Sequence, residues 1–283
     1  MTLLKNYITM KKIILSIIFL SQILVEVQAQ DSTKVEKKRK MHGTFYVTWG
    51  YQRNAYSNSD TRFYDNSNPP AGNYDFTVHD MQAKDQPDLD DILHRPISVP
   101  QYVFNIGYFF NDKRDLGVEI CWDHLKYVMV RNQYAHVTGT LDGKTVDETM
   151  QLSPNWLKFE HTNGNNYLML NLVKRFKLFH KERKYHKVSL ITKFGAGGLV
   201  PKTDSYVLGQ HNDGPFRLSG YVVGASAGLR YDFFRYFFID VAAKGCFVDY
   251  TNIKLYGEGR AEQTFWSSQL IWSAGLNLPL SKD

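Results

Sequence analysis

The chain has 283 residues, 43% of them hydrophobic and 14% aromatic, with a formal charge of +6 and a mean hydropathy of -0.38. Past the first 30 residues no stretch approaches the ~18 consecutive apolar residues that a membrane-crossing helix needs. The basic balance carries no base-reading pattern, so nucleic acid is excluded as a partner despite a pI near 9.0. Two cysteines, Cys121 and Cys246, make neither a disulfide framework nor a metal-ligand spacing.

Lys11 and Lys12, the apolar run Ile13 to Leu24 and the small-residue site Val27-Gln28-Ala29 have the order of an export signal over residues 1–29. No Cys follows that run, so a lipoprotein anchor is not expected. Residues 30–41, with Lys34 to Lys40 reading KVEKKRK, form a solvated periplasmic lead-in. Residues 42–283 then make one domain.

Within it, eight segments alternate apolar and polar residues with period two. They are His42 to Gln52, Tyr102 to Phe110, Leu116 to Tyr127, Asn165 to Lys177, Val188 to Leu199, Leu218 to Tyr231, Tyr236 to Val248 and Thr264 to Leu280. In the last, Leu270, Trp272, Ala274, Leu276, Leu278 and Leu280 share one parity, and Gln269, Ser273, Gly275 and Asn277 the other. A strand crossing a bilayer at a tilt needs about 9–11 residues, and lipid-facing positions alternate with lumen-facing ones. Connections alternate long (53–100, 132–164, 201–215, 250–262) and short (111–115, 179–186, 232–235). Short periplasmic turns and long extracellular loops are the rhythm of an outer-membrane barrel. The fold class expected is therefore an all-β, antiparallel up-and-down transmembrane β-barrel of about eight strands, in the cell outer membrane. Tyr74 to Ala83 also alternates and is assigned to a hairpin inside the first long loop. Counting it and Asn155 to Thr162 as spans gives a ten-strand alternative.

The inward parity carries Glu119, Asp123, Arg175, Lys193, Arg230, Asp240 and Lys244. A barrel of about eight strands is filled by side chains, so these charges are expected to pair, closing the lumen; a gated ion path is the alternative. The first loop's Asp75, Asp80, Asp85, Asp88, Asp90 and Asp91 match no calcium-loop spacing and are assigned to a solvated acidic surface. Gly195 to Gly198 and Gly220 to Gly228 lack the strand–turn–helix context of a nucleotide cradle. No cofactor and no metal is expected.

Two polar clusters end neighbouring strands at the outer rim. Asp123-His124-Leu125-Lys126-Tyr127 closes the third, and Glu160-His161-Thr162-Asn163-Gly164-Asn165-Asn166 precedes the fourth. A histidine base, an orienting carboxylate, an attacking Thr162 hydroxyl or water and an Asn163 oxyanion donor would make a hydrolytic site. Lys126 and Lys158 suit contact with lipopolysaccharide phosphates. Glu160-His161-Thr162-Asn163-Gly164 resembles the His-x-Ser-Asn motif of the PagL-type lipid A deacylases, and the whole resembles OmpA-type and PagL-type small barrels. The motif likeness covers about five residues, with Asn163 where that family has its Ser. It implies an acyl-ester hydrolase using His161 or His124 with Glu160 or Asp123 at the extracellular rim. The leading reading is instead a non-enzymatic surface protein, and a third is a narrow pore for small apolar solutes. Outer-membrane lipid, lipopolysaccharide and the barrel-assembly machinery are the expected partners, and the chain is expected to be a monomer. No peptidoglycan-binding domain is expected beyond Leu280, and the closing strand lacks a terminal aromatic residue.

Overall fold

Period-two alternation produces strands, and the first and last of the spanning strands pair, so the ring they form has no edge. The structure, a computed structural model, describes residues 43–86, 101–110, 115–178, 186–234 and 236–280. The expected export signal, the lead-in, Asp88, Asp90, Asp91 and parts of all three short turns lie outside the described residues.

Among the described residues fifteen strands form: β1 (Thr44–Tyr56), β2 (Ser59–Asp65), β3 (Tyr74–Met81), β4 (Ala83–Lys84), β5 (Tyr102–Phe109), β6 (Leu116–Met129), β7 (Tyr134–Leu141), β8 (Lys144–Gln151), β9 (Leu157–Lys177), β10 (His186–Pro201), β11 (Asp204–Val207), β12 (Gln210–Asp213), β13 (Gly220–Phe233), β14 (Phe237–Lys254) and β15 (Arg260–Pro279). Eight of them close a ring in the order β1-β5-β6-β9-β10-β13-β14-β15, and β15 pairs with β1 from Thr44↔Pro279 to Tyr56↔Ser267. All its pairings are antiparallel. The eight-strand expectation holds. The ten-strand alternative does not, because β3 pairs with β2 in a hairpin and residues 157–162 are the upper end of β9.

The ring's outer face is apolar along its lower half. Phe45, Trp49, Ile106, Ile120, Trp122, Leu168, Leu170, Leu172, Phe194, Leu229, Ile239, Val241, Leu270, Trp272 and Leu276 are all exposed. The uppermost lipid-facing row on this side is Trp122 beside Leu168, which the register pairs directly. Exposed apolar side chains in a closed ring, rimmed by aromatic residues, are the outward band of a bilayer-spanning barrel.

Above that row the strands run further than the alternation indicated. β9 begins at Leu157 rather than Asn165, and β14 ends at Lys254 rather than Val248. The cause is pairing that the loops supply. β15 pairs with β2, β2 with β3, β3 with β7 and β7 with β8, while β11 pairs with β9 and with β12. The described parts of the long first and second loops thus join in one continuous sheet above the membrane. Its inner face buries Phe63, Tyr74, Phe76, Val78, Val137, Leu157 and Phe159, and this core runs without a break into the upper lumen at Tyr127, Tyr167, Tyr250 and Phe265. A second, small cluster of Tyr46, Phe109, Val173, Ile191 and Phe238 fills the periplasmic end.

Candidate functional site

Between those two aromatic plugs the lumen is polar and paired. Glu119 is 1% exposed, and its carboxylate accepts hydrogen bonds from Tyr46 Oη (2.9 Å), Asn171 Nδ2 (3.0 Å) and Lys193 Nζ (2.6 Å). Lys244 pairs with Asp123, and Cys121 Sγ donates to Asp123 Oδ1 at 2.9 Å. Arg230 forks onto Asp240 with two 2.8 Å bonds and lies over the Phe238 ring at 3.7 Å. Arg175 pairs with Asp115 at 2.6 Å, so the turn leading into β6 supplies a partner that the inward-parity reading omitted. All seven lumen charges are in ion pairs. A cavity of about 30 Å³ remains between Glu119, Cys121, Lys193, Asp240 and Lys244. It has room for a water or two and no more.

The rim candidates divide between the two faces of the sheet. The β6–β9 register steps from Leu125↔Asn165 to Tyr127↔His161, so two residues of advance on β6 match four on β9. The bulge holds Thr162, Asn163 and Gly164, whose φ of 140° a side chain rarely adopts. Inserting two residues preserves parity, and His161 still points inward. It is fully buried against Tyr127, Phe159 and Tyr250, with Nδ1 3.1 Å from Thr203 Oγ1 and Nε2 without a partner among the described residues. Burial pulls its pKa down to about 3, so the imidazole is neutral.

Glu160, on the opposite parity, binds Lys158 at 2.9 Å, and Lys158 reaches Asp204 at 2.7 Å. His211 also contacts Asp204, at 2.9 Å. Burial alone would raise the Asp204 carboxyl, but hydrogen bonds from Lys158 and His211 hold it below the usual carboxylate range. Thr162 Oγ1 is 3.4 Å from Glu160 Oε1, and Asn163 is exposed. His124 faces outward, stacked on Tyr102 at 4.8 Å with Nδ1 2.8 Å from Asn166 Oδ1.

The six residues singled out as hydrolytic candidates therefore do not converge. His161 and Asp123 are inside, whereas His124, Glu160, Thr162 and Asn163 are on the outer face. Among the described residues no hydrogen bond joins His161 to Glu160 or to His124. Lys158, expected to be free for phosphates, is spent on two carboxylates. Buried Lys126 also has interactions of its own. Thr203 and Asp204, the actual partners of His161 and Lys158, lie some 40 residues along the chain in a short strand and its approach, and no local pattern marks them.

A closed ring, an apolar outer band and a paired polar lumen decide the architecture. The chain is an outer-membrane β-barrel. No family model matches it, and no curated protein matches it. Among solved structures it is similar to Ail, the attachment invasion locus protein of Yersinia pestis, with 13% identity over 84% of this chain and 100% of that one and a TM-score of 0.32. Neisserial surface protein A is similar at 11% identity, 83% and 96% coverage and a TM-score of 0.34. OprG from Pseudomonas aeruginosa is similar at 9% identity, 86% and 99% coverage and a TM-score of 0.34.

Proposed function

We propose that this protein is a non-conducting barrel that holds a rigid binding surface outside the cell. The observation that carries the reading is the β3–β7 pairing, from Tyr74↔Leu141 to Val78↔Val137, which joins the first and second outer loops over a shared aromatic core. Loops that are already ordered lose little entropy when a partner binds. The sheet's outer face offers Tyr134, His136, Thr138 and His79, and β8 lies at the end of the sheet order. The lumen supports the same reading from the other side. Its charges are matched pair by pair, and both ends are packed with aromatic side chains.

The test has two arms. In planar bilayers the purified protein should show no conductance steps; regular steps would replace this reading with a pore. On cells, replacing β7 and β8 with a short Gly-Ser linker should abolish surface binding while the barrel still assembles, and undiminished binding would remove the sheet as the functional surface. The acyl pattern of lipid A should be the same with and without the protein. A change that disappears in His124→Ala would move the reading to hydrolysis.

A further inference from the structure

The segment between β12 and β13 puts a lone cation at the membrane surface in a built setting. Phe216 and Leu218 are 52% and 66% exposed, and both are large and apolar. Arg217 lies between them, also exposed. The segment is tied down: Arg217 N donates to Pro201 O (3.2 Å), Ser219 N to Leu199 O (2.9 Å) and Ser219 Oγ to Arg217 O (3.1 Å).

Two glycines on neighbouring strands make the seats for its apolar side chains. A Cβ at Gly164 would come within 2.9 Å of Phe216 Cε1, and one at Gly198 within 2.7 Å of Leu218 Cδ1. The β9 bulge thus has a structural use, which is to open a notch for Phe216 beside His124. With the Phe216 ring and the Leu218 side chain seated on these glycines, the side chain between them is Arg217.

Leu218 lies over Gly198, which is paired with Leu168, itself paired with Trp122, so Leu218 adjoins the upper end of the lipid-facing band. Pro201, which fixes Arg217, is paired with Asn165, three residues further up β9. That is roughly 10 Å along a tilted strand. At a tilt of about 45° that is about 7 Å of height, and the headgroup layer beyond the hydrocarbon is about 5–8 Å thick on each side, which brings the Arg217 backbone to the level of the headgroups.

Most neighbouring cations above the band are neutralised. Arg53 pairs with Asp85, Arg62 with Asp75, Lys158 with Glu160 and Asp204, Lys202 with Asp213, and Arg260 with Glu258. Arg217 forms no ion pair among the described residues. Arg131 is likewise exposed and forms no ion pair among the described residues, but it stands several residues higher, in the turn between β6 and β7.

The geometry points to a seat for one phosphorylated lipid of the outer leaflet. Its acyl chains lie along Leu218, Leu168 and Trp122, and its phosphate takes the Arg217 guanidinium. Continuity with the lipid band supplies the apolar half of the match. The unpaired arginine supplies the other half, since its planar fork suits two phosphate oxygens at once. The site is independent of whether the extracellular sheet binds anything.

The test is native mass spectrometry of the full-length protein released from uncharged detergent micelles. Bisphosphorylated lipid A is titrated in, with its dephosphorylated form as the comparison. One tightly retained phosphorylated lipid is expected. Its apparent affinity should fall about tenfold or more in Arg217→Gln, as for the loss of a charge-assisted hydrogen bond. It should fall similarly when the phosphates are removed, and should be unchanged in Arg131→Gln. Phe216→Ala with Leu218→Ala should weaken both lipid forms alike. Equal retention by Arg217→Gln, or equal binding of the dephosphorylated lipid, would overturn the assignment. Compact migration of unheated protein on gels shows that each variant has kept its barrel.

Discussion

Leu168, Leu170 and Leu172 look outward from β9, whereas Leu157 and Phe159, higher on the same strand, look inward. Inside the ring the change is the reverse. Glu119, Lys193, Arg230 and Asp240 fill the lumen at membrane height, and Tyr127, Phe159, Tyr250 and Phe265 fill it above. One ladder of strands serves two solvents. Where lipid lies outside, apolar side chains face it and polar groups must satisfy one another inside. Where water lies outside, the ordinary rule returns, and burying aromatic surface stabilises the fold. The β9 bulge at residues 162–164 sits near this changeover. It inserts an even number of residues, so the strand keeps its facing while what each face meets is exchanged.

The sharpest way to break the contrast is to put a charge into the upper core. Phe63 is fully buried, packed on Phe76 and Phe159 at 5.3 Å each. Phe63→Asp should cost more than about 4 kcal/mol locally. Limited proteolysis should then cut the extracellular half while the lower barrel stays resistant; uniform resistance would mean the upper core is not cooperative. Next comes the lumen. Arg230→Met leaves the half-buried Asp240 without its partner and should cost about 3 kcal/mol in unfolding from lipid vesicles. Arg230→Met with Asp240→Leu should recover most of that loss. If the double variant is as unstable as the single one, pairing is not what the lumen charges contribute.

A pH titration separates the halves more gently. His161 has a folded pKa of about 3 and an ordinary unfolded value near 6.5. The unfolded chain therefore binds the extra proton between those values. Stability should be flat above about pH 6.5 and fall as pH drops toward 3, by on the order of 4 kcal/mol. Hydrogen exchange of β9 above the bulge should report the slope, and His161→Phe should flatten it. An unchanged slope in His161→Phe would assign the effect to other groups. Smallest of all is Arg62→Gln. Its pair with Asp75 is exposed, and holds that carboxyl below the usual range mainly through the hydrogen bond from Arg62. The change in stability should stay under about 1 kcal/mol, and a larger loss would mean that surface pairs, not the core, hold the sheet.

What could be read from the residues tracks how local each signal is. The spanning strands declare themselves because alternation such as Leu270-Trp272-Ala274-Leu276 is a property of neighbours in the chain. The segment at Tyr74 to Met81 was legible as a strand for the same reason. Its partner β7 was not, because their pairing joins residues some 60 apart and leaves no mark on either. The rim site failed to assemble for a related reason. His161 and Glu160 are adjacent in sequence, and adjacency in a strand sends side chains to opposite faces. The aromatic cage of His161 draws on β6, β9 and β14, and Lys158 finds Asp204 only because β11 docks on the upper end of β9. Phe216 and Leu218 could be seen as apolar, but their glycine seats come from two other strands.

The most direct test of the reversal is a nitroxide scan along β9 from residue 157 to residue 172, in lipid vesicles. Labels at 168, 170 and 172 should be reached by oxygen from the bilayer, and labels at 158, 160 and 162 by a water-soluble nickel complex. Labels at 157, 159 and 161 should be shielded from both. Access of the nickel complex to 157 and 159 would contradict the account, because it would make the upper end of β9 a solvated loop rather than the wall of a folded core.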